Sequence, residues 1–253
     1  MPYYPPSYLF RRHAILRVLH PGSNFLEVGP GKMRLAQELL KYFQRGTLIE
    51  YSKDIHTVYK TLQPSIRSRL ELLVVDFMNH ELKKKFDCVV ACEVLEHVPD
   101  DRAFLRKLYT ALSDHGQLVL SVPARMKSWS LDDNIVGHLR RYERESLVTL
   151  LNTVGFKGIQ VYAYGFPFVN LLRIPRIWLA RRQFYCNVKF SVEERTKMSG
   201  IAHTARMSPL LGLIVNPITV YPLALFSTIF QRLDWSGVYL VTAVKYHSSH
   251  GDE

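Results

Sequence analysis

The sequence has few cysteines and few acidic residues, and each shortage narrows the classes of protein to which it can belong. Only three cysteines, Cys88, Cys92 and Cys186, occur among 253 residues, and they form no C-x-x-C pair. Cys88 and Cys92 fall in one predicted buried strand, which favours reduced thiols over disulfides. The first residues also lack the basic start and apolar core of a signal peptide. We therefore expect a cytoplasmic protein, with a position peripheral to the membrane as an open alternative.

The shortage of acids leaves the chain strongly basic. Lysine and arginine number 33 against 22 aspartates and glutamates, so the net charge is +11 and the isoelectric point is near 9.6. This balance favours anionic partners: nucleic acid, acidic lipid headgroups or a phosphorylated substrate. Apolar residues make up 47% of the chain, which is enough to bury a full core in one large domain and excludes a disordered protein.

The chain is organised around the stretch Asn24–Met33, which reads Asn-Phe-Leu-Glu-Val-Gly-Pro-Gly-Lys-Met. An apolar run ends in Gly29 and Gly31 and is followed by apolar residues at helical spacing, a pattern that predicts a strand, a tight turn and a helix. Glycines let the backbone approach a nucleotide-like ligand, to which the helix start offers unpaired N–H groups. A turn that binds nothing is the alternative. A nicotinamide or flavin site is disfavoured, because the G-x-G-x-x-G fingerprint needs glycine where this chain has Arg34.

Apolar segments then alternate with helical ones, which predicts an α/β fold with a mostly parallel sheet covered by helices on both faces. Four predicted strands end at an acid: Glu27, Glu50, Asp76 and Glu93. Ligands bind at the carboxyl ends of the strands in such sheets, so we expect a site there, and a chance arrangement of loop acids is the alternative. Glu50, at the tip of the second strand, is predicted to accept both hydroxyls of a ribose.

At this point the sequence resembles the class I S-adenosylmethionine-dependent methyltransferases. The resemblance spans about residues 20–165. It rests on Glu27-Val-Gly-Pro-Gly31, Asp76-Phe77, Cys92-Glu-Val-Leu-Glu-His-Val-Pro99, Gly116-Gln-Leu-Val-Leu-Ser-Val-Pro and Tyr142-Glu-Arg-Glu-Ser-Leu. It implies a Rossmann-like sheet of seven strands, S-adenosylmethionine as cofactor and S-adenosylhomocysteine as product. One departure is Met33, where many members of the family have a further glycine.

The resemblance also implies how the cofactor is held. Gly29 and Gly31 would line its methionine and ribose moieties, and Glu50 would bind the ribose hydroxyls. Asp76 would bind the adenine amino group and Phe77 would flank the adenine. The full set of predicted cofactor-binding residues is Glu27, Gly29, Gly31, Glu50, Tyr51, Asp76, Phe77 and Glu93.

Methyl transfer from a sulfonium requires alignment and desolvation and, for a hydroxyl acceptor, a base. His97 is the first candidate for that base, because an imidazole can take a proton near neutral pH. Glu96 and His138 complete the predicted catalytic set. The alternative for His97 is a structural histidine that is hydrogen-bonded to the backbone.

Glu93-x-x-Glu96-His97 is also typical of half of a metal site. Spacings of three and four would place these side chains on one helical face, and two carboxylates with an imidazole suit Mg²⁺ or Mn²⁺. The stretch resembles that of ubiquinone-pathway O-methyltransferases and of small-RNA 2′-O-methyltransferases, and by this resemblance His138 would complete the site. A helix-entry contact of Glu96 and a metal-free His97 are the alternatives.

Residues 123–142 are predicted to face the acceptor. They form a polar, aromatic loop at the carboxyl end of the fifth predicted strand. The predicted acceptor-binding residues are Trp129, Arg140, Arg141 and Tyr142. Either arginine could hold a carboxylate or phosphate of the acceptor, and a solvated or helix-capping arginine pair is the alternative.

A long insertion separates the sixth and seventh predicted strands. We divide the chain into a methyltransferase core, residues 1–165 and 236–253, and an inserted unit, residues 166–235. The first half of the insertion is basic and amphipathic, and its second half carries no charge from Met207 to Gln231. Prolines interrupt this stretch, so a lid that binds the acceptor, a dimer surface or a membrane-facing hairpin fits better than a spanning helix. The Arg-rich N-terminal helix is expected either to close over a ligand or to cover a sheet edge.

These features predict an enzyme that methylates a hydrophobic small molecule, of natural-product, lipid or glycan-linked kind, at oxygen. The alternatives are a metal-dependent RNA 2′-O-methyltransferase, N- or C-methylation of a small molecule, and a cofactor-binding scaffold without activity. An RNA substrate explains the charge but not the apolar insertion. The expected partner is therefore a small-molecule acceptor, with peripheral membrane contact and a homodimer left open and nucleic acid less favoured.

Overall fold

The computed structural model describes residues 4–173 and 215–246, and these residues form one seven-stranded sheet with helices on both faces. In chain order the strands are β1 (Gly22–Val28), β2 (Phe43–Glu50), β3 (Leu70–Val74), β4 (Phe86–Cys92), β5 (Leu112–Pro123), β6 (Lys157–Ala163) and β7 (Val238–Val244). Their order in the sheet is β3-β2-β1-β4-β5-β7-β6. The first five strands are parallel, and β7 is antiparallel to β5 and β6. The predicted Rossmann-like, mostly parallel sheet is confirmed.

The helices follow the strands as the sequence pattern predicts. Those whose bounds lie within the described residues are α1 (Pro6–Val18), α2 (Arg34–Leu39), α3 (Ile55–Lys60), α4 (Pro64–Arg67), α5 (Asp101–Ala111), α6 (Leu131–Val136), α7 (Arg144–Val154) and α8 (Pro217–Ser227). Residues 168–173 are also helical. Three short 3-10 turns cover Leu95–His97, Met126–Ser128 and Thr228–Phe230. Among the described residues, no helix combines the length and the apolar character that crossing a membrane would require.

Alternate residues of the central strands pack into two apolar layers, one on each face of the sheet. Along β1, Leu26 packs in the layer that includes α5 and α7, whereas Phe25 packs in the layer that includes α1, α2 and α8. Both side chains are fully buried. Alternate side chains of a strand point to opposite faces of the sheet, and both faces are buried here. The central strands are therefore continuous apolar runs in the sequence.

Helix α1 lies on the same face of the sheet as α8. Its buried residues are Leu9, Phe10 and Ile15. At its carboxyl end the side-chain amide of Gln117 donates to the carbonyl of Val18 at 2.8 Å and accepts the N–H of His20 at 3.0 Å. The N-terminal helix therefore packs on one face of the sheet and is fixed at one end. Its expected closing over a ligand stays a prediction.

Two expectations fall partly outside the described residues. Cys88 and Cys92 are free thiols, as expected, while Cys186 lies outside the described residues. The predicted insertion leaves the sheet after β6 and returns before β7, and its residues 174–214 lie outside the described residues. The division into a core and an inserted unit stays a prediction.

We expect Gly46→Ala to lower the free energy of unfolding by about 1–3 kcal/mol, because overpacking a rigid core forces neighbours out of place. A Cβ at Gly46 would lie 2.2 Å from Cζ of Phe25, and backbone strands hold both residues. Gly237→Ala is the matched control, since its Cβ would meet nothing nearer than 4.0 Å. Urea unfolding followed by circular dichroism measures both variants, and equal stabilities would contradict this account of the core.

Candidate functional site

The turn after β1 is shaped by its glycines and lies at the carboxyl edge of the sheet. Gly29 and Gly31 have φ angles of +71° and +50°, in the left-handed region that favours glycine. A Cβ on Gly29 would also lie 2.7 Å from Cγ2 of Val94. Met33 has φ +55° and a fully buried side chain. A left-handed backbone favours glycine, and Met33 adopts it at some cost in strain.

Two of the predicted acids, Glu27 and Glu50, lie beside this turn. Glu27 is 3% exposed, and its Oε2 atom has no hydrogen-bond partner among the described residues. Burial raises the pKa of Glu27 to about 8, although the nearby Arg11 acts in the opposite direction. Glu50 accepts the N–H groups of Tyr51 and Ser52 at 2.9 and 3.3 Å. Burial also raises the pKa of Glu50, and hydrogen bonds from the backbone counteract that rise.

The predicted adenine-binding pair follows β3. Asp76 accepts the N–H of Met78 at 2.9 Å, so its carboxylate is held at the edge of the sheet. Phe77 is 6% exposed, and its ring lies 5.3 Å from that of Phe104 in an edge-to-face contact. Phe77 thus occupies a core position, and its contact with an adenine stays a prediction.

Glu93 lies apart from the helical face on which the sequence spacing placed it. Its φ angle is +57°, and the 3-10 turn begins only at Leu95. Glu93 thus directly follows β4, where the sequence predicted the end of the fourth strand, and the helical face that its spacing would allow does not include it. The N–H of Glu93 donates to the carbonyl of Ser121 at 2.8 Å, and its carboxylate accepts the hydroxyl of Ser121. This side chain therefore contacts β5 and α1.

Sequence reasoning missed Arg11, which α1 brings to the same edge. Its guanidinium lies 3.7 Å from Oε1 of Glu93, and its side chain is 24% exposed. Burial alone would lower the pKa of Arg11, but Cys92, Tyr164 and Glu93 raise it above its ordinary value. The only sequence signal was an amphipathic, arginine-rich helix, which does not say which arginine points to the sheet.

A second cluster forms beside the 3-10 turn, where Glu96, His97 and His138 meet. One possible ligand atom from each lies within 4.8 Å of the others, and Oε1 of Glu96 is 3.5 Å from Nε2 of His138. The Glu96 side chain is fully buried, and neither carboxylate oxygen has a hydrogen-bond partner among the described residues. Burial, and then the charge of Glu93, raise the pKa of Glu96 well above its usual range.

Both imidazole rings are held from outside this cluster. Nδ1 of His97 lies 3.1 Å from the carbonyl oxygen of Gly137, and Nδ1 of His138 lies 2.8 Å from a carboxylate oxygen of Asp133. Because a carbonyl oxygen can only accept, Nδ1 of His97 carries a proton. The pKa of His97 is lowered to about 4, by burial and then by His138, so its ring is neutral at pH 7 with Nε2 as an acceptor.

Helix α6 positions His138 through Asp133, a residue that the sequence did not single out. Ser130 and Asp133 form a capping box at the helix start, and the helix ends at Gly137 with φ +83°. Burial tends to raise the pKa of Asp133, but hydrogen bonds from His138 and Arg141 outweigh it and lower the pKa to about 2. Asp133 is therefore ionised and holds the His138 ring in place.

The predicted acceptor-binding arginines both pair with acids of this chain, and their contact with an acceptor stays a prediction. Arg141 is 9% exposed and pairs with Asp133 at 2.8 Å, because the buried carboxylate requires a cation. Arg140 donates to Asp101 at 2.9 Å and to the carbonyl of Pro99 at 2.8 Å. The Tyr142 side chain is 5% exposed and its hydroxyl also contacts Asp101 at 3.2 Å. All three stabilise the segment that carries His138.

Trp129 and Tyr51 remain at the surface of the site. The indole N–H of Trp129 donates to the side-chain oxygen of Asn134 at 3.2 Å, and its ring is half-buried. Tyr51 is 54% exposed beside Glu50. Their predicted contacts with acceptor and cofactor stay predictions.

The donor atoms of the second cluster fit a divalent cation. In metal sites a ligating histidine usually donates its other ring N–H to a carboxylate or carbonyl, as His138 and His97 both do here. The carboxyl group of Glu96 is buried among these atoms, neither of its oxygens has a hydrogen bond among the described residues, and Nε2 of His138 lies 3.5 Å away. Glu93 is not part of this group, so the set is two imidazoles and one carboxylate, a mixed nitrogen and oxygen set that differs from the oxygen ligands that Mg²⁺ prefers.

Comparison with known proteins gives a family. A family model described as a methyltransferase domain matches residues 7–161. The ubiquinone biosynthesis O-methyltransferase of Xanthomonas campestris pv. campestris is 31% identical over 107 residues, which cover 42% of this chain and 45% of the relative. The mitochondrial ubiquinone biosynthesis O-methyltransferase of Schizosaccharomyces pombe is 30% identical over 107 residues, covering 41% and 39%. The chain thus matches less than half the length of these curated relatives.

The fold is also that of solved structures. Phosphoethanolamine N-methyltransferase 2 of Haemonchus contortus, solved with S-adenosyl-L-methionine, superimposes with a TM-score of 0.55 at 16% identity. The match covers 94% of this chain and 52% of that protein. At this identity the likeness establishes the fold alone.

In protein treated with chelator, we expect the ring of His97 to titrate near pH 4 in an NMR titration, with His97→Gln identifying its signal. The reason is burial, which disfavours the charged imidazolium. In the unfolded chain the imidazole has a pKa of about 6.5. Stability should therefore be full above pH 6.5 and fall as the pH is lowered towards 4, and this fall should be smaller in His97→Gln. A midpoint near 6.5 in the folded protein would contradict the buried, neutral ring.

Proposed function

Because the chain belongs to the class I S-adenosylmethionine-dependent methyltransferases, we propose that it transfers the methyl group to an oxygen of a hydrophobic small-molecule acceptor. The observation that carries the proposal is the convergence of Glu96, His97 and His138 at the edge of the sheet. Methylation of a hydroxyl requires that its proton be removed or its pKa be lowered, and this cluster offers nitrogen and carboxylate acceptors for that task. The named relatives from ubiquinone biosynthesis, which are O-methyltransferases, support the choice of oxygen.

The cofactor would lie across the glycine turn, where it supplies a methyl group on a sulfonium. Glu50 is suited to the ribose hydroxyls, because its carboxylate is fixed by backbone N–H groups at the tip of β2. Asp76 is suited to the adenine amino group at the end of β3. Arg11 is suited to the carboxylate at the methionine end, because it is a cation beside the turn that already faces Glu93 and Glu27.

Glu96, His97 and His138 would hold a divalent cation. When bound, the cation would act as a Lewis acid that lowers the pKa of an acceptor hydroxyl. The protein's own part is to orient the ligands: Gly137 and Asp133 hold the two imidazoles at their Nδ1 atoms, and Nε2 of His138 lies 3.5 Å from Glu96. Without a cation, the Asp133–His138 pair would serve as an oriented base, since the ionised Asp133 stabilises a protonated ring.

The hydrophobic character of the acceptor follows from the insertion. Phe166, Phe230 and Trp235 form an aromatic cluster with ring centroids 5.3 to 6.2 Å apart, between the ends of β6 and β7. The Trp235 carbonyl accepts from Arg125, which follows β5. The cluster therefore adjoins the edge at which the acceptor must enter, and an apolar acceptor fits it better than a nucleic acid does.

We expect Glu50→Gln and Arg11→Met each to weaken S-adenosylhomocysteine binding about tenfold or more, since a charged hydrogen bond contributes roughly 1.5–3 kcal/mol. Isothermal titration calorimetry measures the affinity. The matched controls are Arg12→Met, which removes the neighbouring arginine that pairs with Glu38 at 2.8 Å, and Glu71→Gln, which removes an acid on β3. If the controls lose as much affinity as the test variants, the cofactor does not lie at this edge.

Release of S-adenosylhomocysteine with a 4-alkylcatechol as acceptor tests the chemistry. Chelator should abolish the release and Mn²⁺ should restore it, and Glu96→Gln should lower turnover about a hundredfold, in the range of general acid–base or metal-ligand losses. His115→Gln is the control, because His115 contacts Tyr246 and not this cluster.

The results of this assay distinguish a cation site from an oriented base, and a small-molecule acceptor from RNA. Release that is insensitive to chelator but lost in His138→Gln would reject the cation and leave the oriented base. Release with an RNA oligonucleotide and not with the catechol would reject the small-molecule acceptor.

A further inference from the structure

Helix α8 and the 3-10 turn after it expose an uninterrupted apolar surface. Ile218, Tyr221, Leu225, Phe226 and Ile229 are between 47% and 74% exposed, and we call these five residues the apolar platform. No charged side chain occurs from residue 215 to residue 231. Single exposed apolar residues are ordinary on a protein surface, but a contiguous group on one helix marks a contact with something else.

The platform is one of two apolar faces of α8. The inner face is buried against the core through Val220, Ala224 and Ser227. The outer face carries Ile218, Leu225 and Ile229 at spacings of seven and four, which place them on one side of the helix. The helix is thus already packed, and its outer face is not needed to hold it in place.

The platform is firmly joined to the rest of the protein. The Tyr221 ring lies 5.3 Å from that of His13 on α1. The Phe226 ring lies 5.5 Å from Phe230 and 6.2 Å from Phe168. Because these contacts reach α1 and the aromatic cluster at the ends of β6 and β7, the platform lies on the side of the sheet where the site opens.

The surroundings of the platform are basic. Helix α1 contains no acidic residue, and its exposed Arg17 is one turn beyond His13, on the face that meets α8. Arg232 is exposed just after the 3-10 turn. The first acid after residue 215 is Asp234, which pairs with Arg144 at 2.8 Å. Over the whole insertion, residues 166–235, nine lysines and arginines stand against three acids, a net charge of +6.

From this combination we infer that the apolar platform docks on the interface of an anionic lipid bilayer. Apolar side chains would enter the boundary between headgroups and acyl chains, while Arg17 and Arg232 would meet acidic headgroups. An 11-residue helix is about 17 Å long and suits a position in the plane of the interface. This inference goes beyond the proposed function and does not depend on the cation or on the acceptor.

A second copy of the chain fits the surface less well. A two-fold contact centred on α8 would bring the two platforms together and with them the two α1 helices. These helices carry arginines and no acids, so the rims of such a contact would repel each other. An anionic bilayer meets the apolar surface and the basic rim at once.

Co-sedimentation with large unilamellar vesicles tests the inference. The full chain should bind vesicles of phosphatidylcholine and phosphatidylglycerol at 3:1, and bind pure phosphatidylcholine more weakly. The triple variant Ile218→Gln/Leu225→Gln/Ile229→Gln should bind at least tenfold more weakly to the mixed vesicles, and Arg17→Gln should reduce binding to the mixed vesicles only.

Tyr246→Gln is the matched control, since Tyr246 is also 51% exposed but follows β7 at the opposite edge of the sheet, and its binding should not change. Circular dichroism and S-adenosylhomocysteine affinity establish that each variant is folded. Wild-type protein that stays in the supernatant, or a triple variant that binds as well as wild type, would overturn the inference. So would a wild-type dimer in sedimentation velocity that the triple variant dissociates while neither binds vesicles, which would assign the platform to a second copy.

Discussion

A buried carboxylate without a partner costs free energy, and the structure keeps one at Glu96. Its two oxygens lie in the interior with no hydrogen bond among the described residues. The neighbouring imidazoles of His97 and His138 do not donate hydrogen bonds to it, and their Nδ1 atoms are held by Gly137 and Asp133. The ionised Asp133 in turn requires Arg141, which ties the loop to the carbonyls of Ala124 and Gly237. A cation between the three inner ligands would compensate the buried charge.

The sheet explains why this cluster and the glycine turn are neighbours. Parallel strands end at one edge, so the loops after β1, β2, β3 and β4 deliver Gly29, Glu50, Asp76 and Glu96 to a single rim. Helix α1 then joins the rim to the face that carries α8, because Arg11 reaches Glu93 while His13, less than one turn further on, contacts Tyr221. The proposed cofactor site, the proposed acceptor entrance and the apolar platform are thus joined through α1.

The strands and the residues at their carboxyl ends could be predicted from the sequence, because the patterns that mark them span only a few neighbouring residues. Apolar runs that end in acids or glycines mark the strands and the rim, and they were placed within a few residues. The errors concern contacts between distant segments. The sequence pattern does not show that Arg140 pairs with Asp101 and Arg141 with Asp133, so both arginines were predicted to be available to an acceptor. The spacing of Glu93, Glu96 and His97 would suit one face of a helix, but the positive φ of Glu93 excludes that residue from a helix. Arg11 could not be chosen over Arg12 without knowing that Glu38 pairs with the latter.

The central claim is that Glu96, His97 and His138 form one cation site within a methyltransferase fold. Anomalous diffraction from crystals soaked with Mn²⁺ and S-adenosylhomocysteine tests it most directly, because the metal is located independently of activity. We expect one strong anomalous peak within coordination distance of the Glu96 carboxylate and both imidazoles, with S-adenosylhomocysteine across the glycine turn. S-adenosylhomocysteine bound there with no anomalous peak at the cluster would contradict it.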